Sequence, residues 1–547
     1  MTQPAPSIRS AVSGRPWWET RPFVALLIVL AMVPLLYPPI PPLVDLLGHM
    51  GRYRVELDLA TSPWLAQYYG FRWAAIGNLG VDLLIIPLSK LFGLELAVKL
   101  IVLAIPPLTV AGFLWVAREV HGRLPPTALF ALPFAYSHPF MYGFANYALS
   151  IALAFLAFGL WLRLARLNRL KLRAILFVPI SVVVFFTHVF GWGVLGLLCF
   201  SAEAVRQHDA GKRWPRAGID AALQASVMAL PLLAMLAWRS ETHGGRTGAW
   251  FVLQMKLDWI LSALRDRWKR FDVASLIVCA AALVEACRRP SLTFSRNLAF
   301  SALVLLTGFI LLPWMIFGSA YADMRLFPYV VAVALLAIRF RDEVMPMRTA
   351  RVLAVLGLSF FVIRIAATSW SLMIAADDQR AKLAALDHVP MGSRVATLVG
   401  DSCSKPWPMA RNTHLGAMVI VRRQGFSNDQ WVTSGQNLLQ LRYHGPGQFS
   451  SDPSQIVPER DCPESWSIDL ALRLLPRDQF DYLWLIGTEP FAPALVDGMT
   501  PVWRGDDSTL YRINPPARKS PPATPRTASA PARPAALPGQ KGSAARR

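Results

Sequence analysis

Charge is scarce in this chain: only 16% of its 547 residues are Asp, Glu, Lys or Arg, against 54% hydrophobic residues. That balance excludes a single soluble domain, because apolar runs of this extent need lipid around them. Acids are scarcer still, 34 against 55 basic residues. The second to seventh apolar segments hold almost none, with Asp220 at a segment end. Ion-coupled carriers need ionisable groups or broken helices near the midplane, so this scarcity argues against one. Nucleic-acid binding is not expected either: inside-loop arginines and a basic tail explain most of the net charge of +21, and no nucleic-acid motif accompanies it.

What is present is a series of apolar windows of spanning length, roughly 17 to 25 residues each. They lie near 22–40, 95–117, 125–143, 146–164, 173–188, 189–205, 218–238, 272–287, 296–318, 325–340 and 350–375. The expected fold is mainly α, a polytopic membrane protein with about eleven transmembrane helices and a small C-terminal α/β extracytoplasmic domain. Residues 77–93 are apolar but short, interrupted by Pro87 and bracketed by Asp82 and Lys90; they read as an interfacial or re-entrant segment.

With 77–93 uncrossed, every connection on one side is basic, including the cluster Arg163, Arg166, Arg169, Lys171 and Arg173. The turns 141–147 and 187–192 on the other side carry no Lys or Arg. The positive-inside rule therefore predicts a cytoplasmic N-terminus. Residues 1–21 contain Arg9, Arg15 and Arg21, and no convincing small-residue cleavage site follows, so the first segment reads as an uncleaved anchor. Outside lie a first loop (40–94), a second (239–271) and everything after about 376.

Residues 376–514 change character, with short β-rich runs at 393–400, 481–487 and 508–514 and helical patterns at 377–388 and 466–475. They predict a small α/β domain. The tail 515–547, basic and rich in Pro and Ala without acids, predicts disorder. Of five cysteines, Cys199, Cys279 and Cys287 lie in or at the ends of spans. Cys403 and Cys462 are the two in the outside domain, where oxidation is permitted, and are expected to form a disulfide.

The stretch Pro41–Arg54, PPLVDLLGHMGRYR, directly follows the first span. Asp45, His49 and Arg52 stand at i, i+4 and i+7, one face of a helix, so an acid, an imidazole and a guanidinium converge on one cleft. The bland alternative is that Asp45 caps an interfacial helix and pairs with a nearby Arg.

Several segments in order resemble the GT-C superfamily of integral membrane glycosyltransferases, which use polyprenyl-phosphate sugar donors. They are Asp45 just after the first span, LLIIPLSKLFG (83–93) before ELAVKLIVLAIPP, the turn MYGFANYALS, and DMRLFPYVV (323–331). The similarity covers roughly residues 20–375. It implies transfer of a sugar from a polyprenyl phosphate to an extracytoplasmic lipid, polysaccharide or protein, at a bacterial inner membrane. It also implies that Asp45 takes the proton of the attacking hydroxyl. The departing phosphate needs positive charge, for which Arg325 is the first choice and Arg52 the second. Lys256, Arg265, Arg267, Lys269 and Arg270 in the second loop could gather anionic headgroups, though most read as a solvated face.

The chain departs from the superfamily in carrying Asn146 where many members have a second acid, so no metal or other cofactor is expected. His138 and His188 near outer span ends are candidates for sugar or phosphate binding. Asp82 and Asn78 could line the cleft, although Asn78 could instead cap the short helix. The outside domain offers no catalytic constellation; its tryptophans, Trp407, Trp431, Trp466 and Trp484, could stack on sugar rings but read more readily as core. The alternative function is a non-enzymatic one, a lipid or polysaccharide transporter or a scaffold.

Overall fold

The computed structural model describes residues 15–239, 247–316, 318–341, 346–431, 437–463 and 466–514. The basic tail 515–547, residues 1–14 of the N-terminal segment and part of the second outer loop lie outside the described residues. Each of the eleven segments contains helix, although residues 312–316 and 338–340 are not helical. Among the described residues five helices are long and apolar enough to cross a bilayer: Leu94–His121, Ala145–Arg166, Leu170–Thr187, Val189–Asp209 and Met347–His388. The chain is a multi-pass membrane protein, mainly helical, with a strand-containing C-terminal domain.

Proline explains why some segments are not single helices. The first is split into Arg21–Leu30 and Val33–Leu36, with Pro34 opening the second piece, since proline has no amide to give the preceding turn. Residues 125–143 form a tight 3-10 run, Pro126–Tyr136, then one turn, His138–Met141, with Pro133 and Pro139 inside them. The 77–93 segment becomes the helix Gly80–Phe92. At 1.5 Å per residue it is about 20 Å long, short of ~30 Å of hydrocarbon.

The last helix runs unbroken from Met347 to Leu383. It absorbs most of the helical pattern at 377–388 that the sequence assigns to the outside domain, and a boundary at 376 therefore falls inside it. The sheet begins at strand Arg394–Asp401, which runs parallel to Tyr482–Ile486; Ser508–Ile513 and Met499–Arg504 follow antiparallel. Phe426–Ser427 and Ile456–Pro458 pair with the two ends of Arg394–Asp401 on its other edge.

One pairing crosses between the outer loop and the domain. Tyr69–Phe71, from the first loop, runs antiparallel to Leu439–Leu441, with Tyr69 opposite Leu441. Val55, Leu65 and Tyr69 of that loop share an apolar core with Ala396, Leu398, Phe426 and Leu483 of the domain. At the other end of the bundle, Leu292–Phe294 and Ile338–Phe340 form a two-stranded ribbon. It joins two of the basic connections.

Glu203 is an acid inside the sixth segment. Arg173 reaches it at 3.0 Å and Arg206 at 2.5 Å, so it is held in ion pairs at the basic end of its helix.

Candidate active site

A cavity of about 1000 Å³ opens where the first outer loop, the 138–147 turn, the 318–325 segment and the C-terminal domain meet. Asp45, His49, Arg52, Asn78, His138, His188 and Arg325 all border it. Residues far apart in sequence are thus gathered at one place.

Asp45 precedes the helix Leu46–Asp58 at its cap position, but its side chain caps nothing. Its amide donates to the Tyr142 carbonyl at 2.9 Å. That approach depends on Gly143, whose φ of 100° suits glycine; a Cβ there would sit 2.7 Å from the Asp45 nitrogen. Among the described residues Asp45 forms no ion pair with an arginine, so the bland reading of a paired cap does not describe it. Burial pushes its carboxyl well above the ordinary range, the nearby Asp452 adds to that, and Arg325 opposes it.

His414 of the C-terminal domain brings Nε2 to 3.9 Å from the Asp45 carboxylate. Its Nδ1 lies 3.2 Å from the Asp429 carbonyl. A carbonyl can only accept, so the proton of the neutral ring belongs on Nδ1 and Nε2 faces Asp45 with its lone pair. Burial pushes the His414 pKa down to about 4, which keeps the ring neutral. Trp431 packs between His414 and His49, with ring centroids at 4.3 and 5.0 Å.

Arg325 lies over the rings of Phe144, Phe190 and Tyr147, at 4.6, 5.2 and 6.0 Å from their centroids. Its Nη1 contacts Ser319 Oγ at 3.3 Å, while its buried Nε has no partner among the described residues. It also borders a second, apolar groove of about 300 Å³ walled by Val189, Phe190, Trp192, Val194 and Leu326. Asn78, His188, Ser319 and Arg325 belong to both spaces.

The histidines differ. His138 borders the cavity, is 2% exposed, and neither of its ring nitrogens has a partner among the described residues. His188 instead accepts from the Phe190 amide at 3.1 Å through Nδ1 and caps the helix Val189–Asp209.

Three expectations need correction. Asp82 does not line the cleft: it is fully buried and engages Arg52 at 2.9 Å, with Asn146 donating to it at 3.1 Å. Arg52 consequently spends its charge on Asp82, and the convergence of acid, imidazole and free guanidinium is only partial. Asn78 does not cap the short helix, whose cap is Leu79; its side chain accepts from Asn146 at 2.9 Å.

In the second loop Lys269 and Arg270 are exposed and Arg267 half-exposed, but two of the five basic residues are not part of a solvated face. Lys256 turns inward, 2.7 Å from Asp323 and donating to the Phe309 and Leu312 carbonyls. Arg265 borders the cavity and donates to the Trp407 carbonyl at 2.8 Å.

Cys403 and Cys462 are bonded to each other, and Cys403 lies on the cavity wall. Among the described residues the one grouping of three metal-ligand side chains is Cys403, Glu459 and Cys462, whose thiols are consumed by that bond.

Two solved structures resemble the chain in overall shape. They are ArnT from Cupriavidus metallidurans in the apo state (TM-score 0.46, 13% identity, covering 89% of this chain and 96% of that one) and the same protein bound to undecaprenyl phosphate (TM-score 0.46, 14% identity, 89% and 97%). A likeness of that size carries no chemistry with it. No family model and no curated protein matches the chain.

His414 and Asp452 border the cavity and were not singled out in the sequence, and Trp431, read there more readily as core than as a sugar-stacking ring, borders it too. No local pattern marks them. They reach Asp45 only because the domain folds back on the first outer loop.

Proposed function

We propose that this protein is a membrane glycosyltransferase that moves a sugar from a polyprenyl phosphate to an acceptor at the non-cytoplasmic face. The observation that carries the reading is the position of Arg325, at the junction of the polar cavity holding Asp45 and an apolar groove between helices. A lipid phosphate has the same two-part character. Its chain, of the class of the undecaprenyl phosphate bound in the similar structure, would lie along Phe190 and Trp192, and its phosphate would meet the guanidinium. The sugar would then project towards Asp45.

In this reading the acceptor hydroxyl attacks the anomeric carbon while Asp45 takes its proton, the glycosidic bond to phosphate breaks, and Arg325 stabilises the charge left on the phosphate. A carboxyl whose pKa is raised is a stronger base once ionised, which suits a poorly acidic sugar hydroxyl. The unpartnered His138 would hold a polar group of the sugar or acceptor.

The test compares envelope glycans and glycolipids, by mass spectrometry, in a deletion strain carrying either the native gene or Asp45→Asn. Removing a general base typically costs about 10²- to 10⁴-fold in rate. The product should disappear in the variant at normal protein level. Full product from the variant would refute the assignment of Asp45, and an unaltered glycan profile in the deletion strain would refute transfer itself.

A further inference from the structure

We propose that a trough between the helices Lys269–Arg288 and Met347–Leu383 binds one diacyl phospholipid with a net negative headgroup, in the leaflet remote from the Asp45 cavity. The two helices run antiparallel. Near the cavity they are clamped together, Arg364 donating to Asp272 at 2.8 Å in a buried ion pair. Towards the other end a trough of about 740 Å³ opens between them, walled by Ala281, Ala282, Leu353 and Leu356 and floored by Phe130. Small side chains on one wall make the room.

The size and charge of this trough fit one class of occupant. From Val278 to Arg289 its wall covers about 17 Å of helix, close to half of the ~30 Å hydrocarbon thickness and so to one leaflet. Arg289 and Arg348, both exposed, border the mouth. Glu285 pairs with Arg289, leaving one positive charge in excess there. The ribbon of Leu292–Phe294 with Ile338–Phe340 adds Arg339 at the same end. An apolar trough one leaflet long that ends in guanidinium groups complements acyl chains ending in a phosphate diester. The site is distinct from the proposed donor groove, with which it shares no lining residue.

The test uses the purified full-length chain and native mass spectrometry, with equimolar dioleoyl phosphatidylglycerol and dioleoyl phosphatidylcholine as probes. One phospholipid should remain bound, with about a fivefold preference for phosphatidylglycerol. The double variant Arg289→Gln/Arg348→Gln should bring that ratio near one, and Ala282→Trp should fill the trough and abolish retention. Equal retention of the two lipids by the native chain, or a preference that survives in the double variant, overturns the proposal. If Ala282→Trp fails to fold, the native competition and the double variant still decide the matter. None of these readouts depends on glycosyl transfer.

Discussion

The Nε2 atom of His414 stands 3.9 Å from the Asp45 carboxylate, so the proposed base is flanked by a group from the domain that follows the last membrane helix. Both atoms accept protons, and both border the same cavity. A hydroxyl entering between them meets two acceptors. The C-terminal domain is therefore a wall of the cavity, held there by its packing on the first loop.

The electrostatics of Asp45 predict a pH profile. Burial first, and Asp452 second, raise its pKa, and a base works only when ionised. Transfer should rise with pH through that raised pKa and then level off. Asp452→Asn removes a negative neighbour, lowers the Asp45 pKa and moves the acid limb to lower pH. The stability sign follows from the same shift. A carboxyl with a raised folded-state pKa costs nothing below its unfolded pKa and opposes folding fully above its folded one. Asp45→Asn should thus melt no lower than the native chain at pH values above that range. An acid limb unmoved in Asp452→Asn would break the electrostatic link.

Gly48 lies where the helix Leu46–Asp58 packs directly against this wall. A Cβ there would meet Trp431 at 2.5 Å and His414 at 3.2 Å, distances that force the indole to move. Gly48→Ala should therefore lower turnover at least about tenfold by displacing Trp431 and His414, an effect of the size expected when a site is misplaced by an ångström. Helix propensity itself favours Ala. Steady-state kinetics beside a thermal melt separates the two effects, and unchanged turnover would show that the Trp431 position is unimportant.

Much of this was legible in sequence because its signals are local. Span-length apolar windows, the i, i+4, i+7 spacing of Asp45, His49 and Arg52, and the Arg325 segment can all be read without knowing what packs where. The misses are pairings across the chain. Asp82 looked like a cleft acid because nothing in sequence shows that Arg52 will neutralise it, and Lys256 looked solvated because Asp323 lies 67 positions away. Trp431 read more readily as core than as a sugar-stacking ring, and its place on the wall of the Asp45 cavity follows from contacts between the first loop and a domain more than 300 residues later.

Asp82 and Asp45 should separate cleanly under mutation. Asp82 is fully buried and holds the buried Arg52, and breaking a buried pair from one side costs about 3–5 kcal/mol because the other charge is stranded. Asp82→Ala should lower the melting temperature, and Arg52→Met in the same chain should restore part of the loss by removing the stranded charge. Asp45→Asn should show the opposite pattern, activity lost and stability kept. A double variant no more stable than Asp82→Ala would mean that the pair is not what Asp82 contributes.

The disulfide gives the last separation, between binding and chemistry. Cys403 and Cys462 are separated by 59 residues, and closing a loop of that length contributes about 4 kcal/mol in the chain-entropy account. The bond also fixes the wall segment that carries Cys403, Lys405 and Met409, whereas Asp45 and Arg325 lie on elements outside the closed loop. Cys403→Ser/Cys462→Ser should therefore melt at a lower temperature, and below that melt it should raise KM for the acceptor more than it lowers kcat, since what loosens is the 403–409 segment, while His414 and Trp431 stay packed on Gly48 of the first-loop helix. Reducing the native chain should reproduce both effects once loss of the bond is verified by thiol labelling. A reduced chain with unaltered KM would show that the Cys403 segment forms part of the cavity wall without touching the substrate.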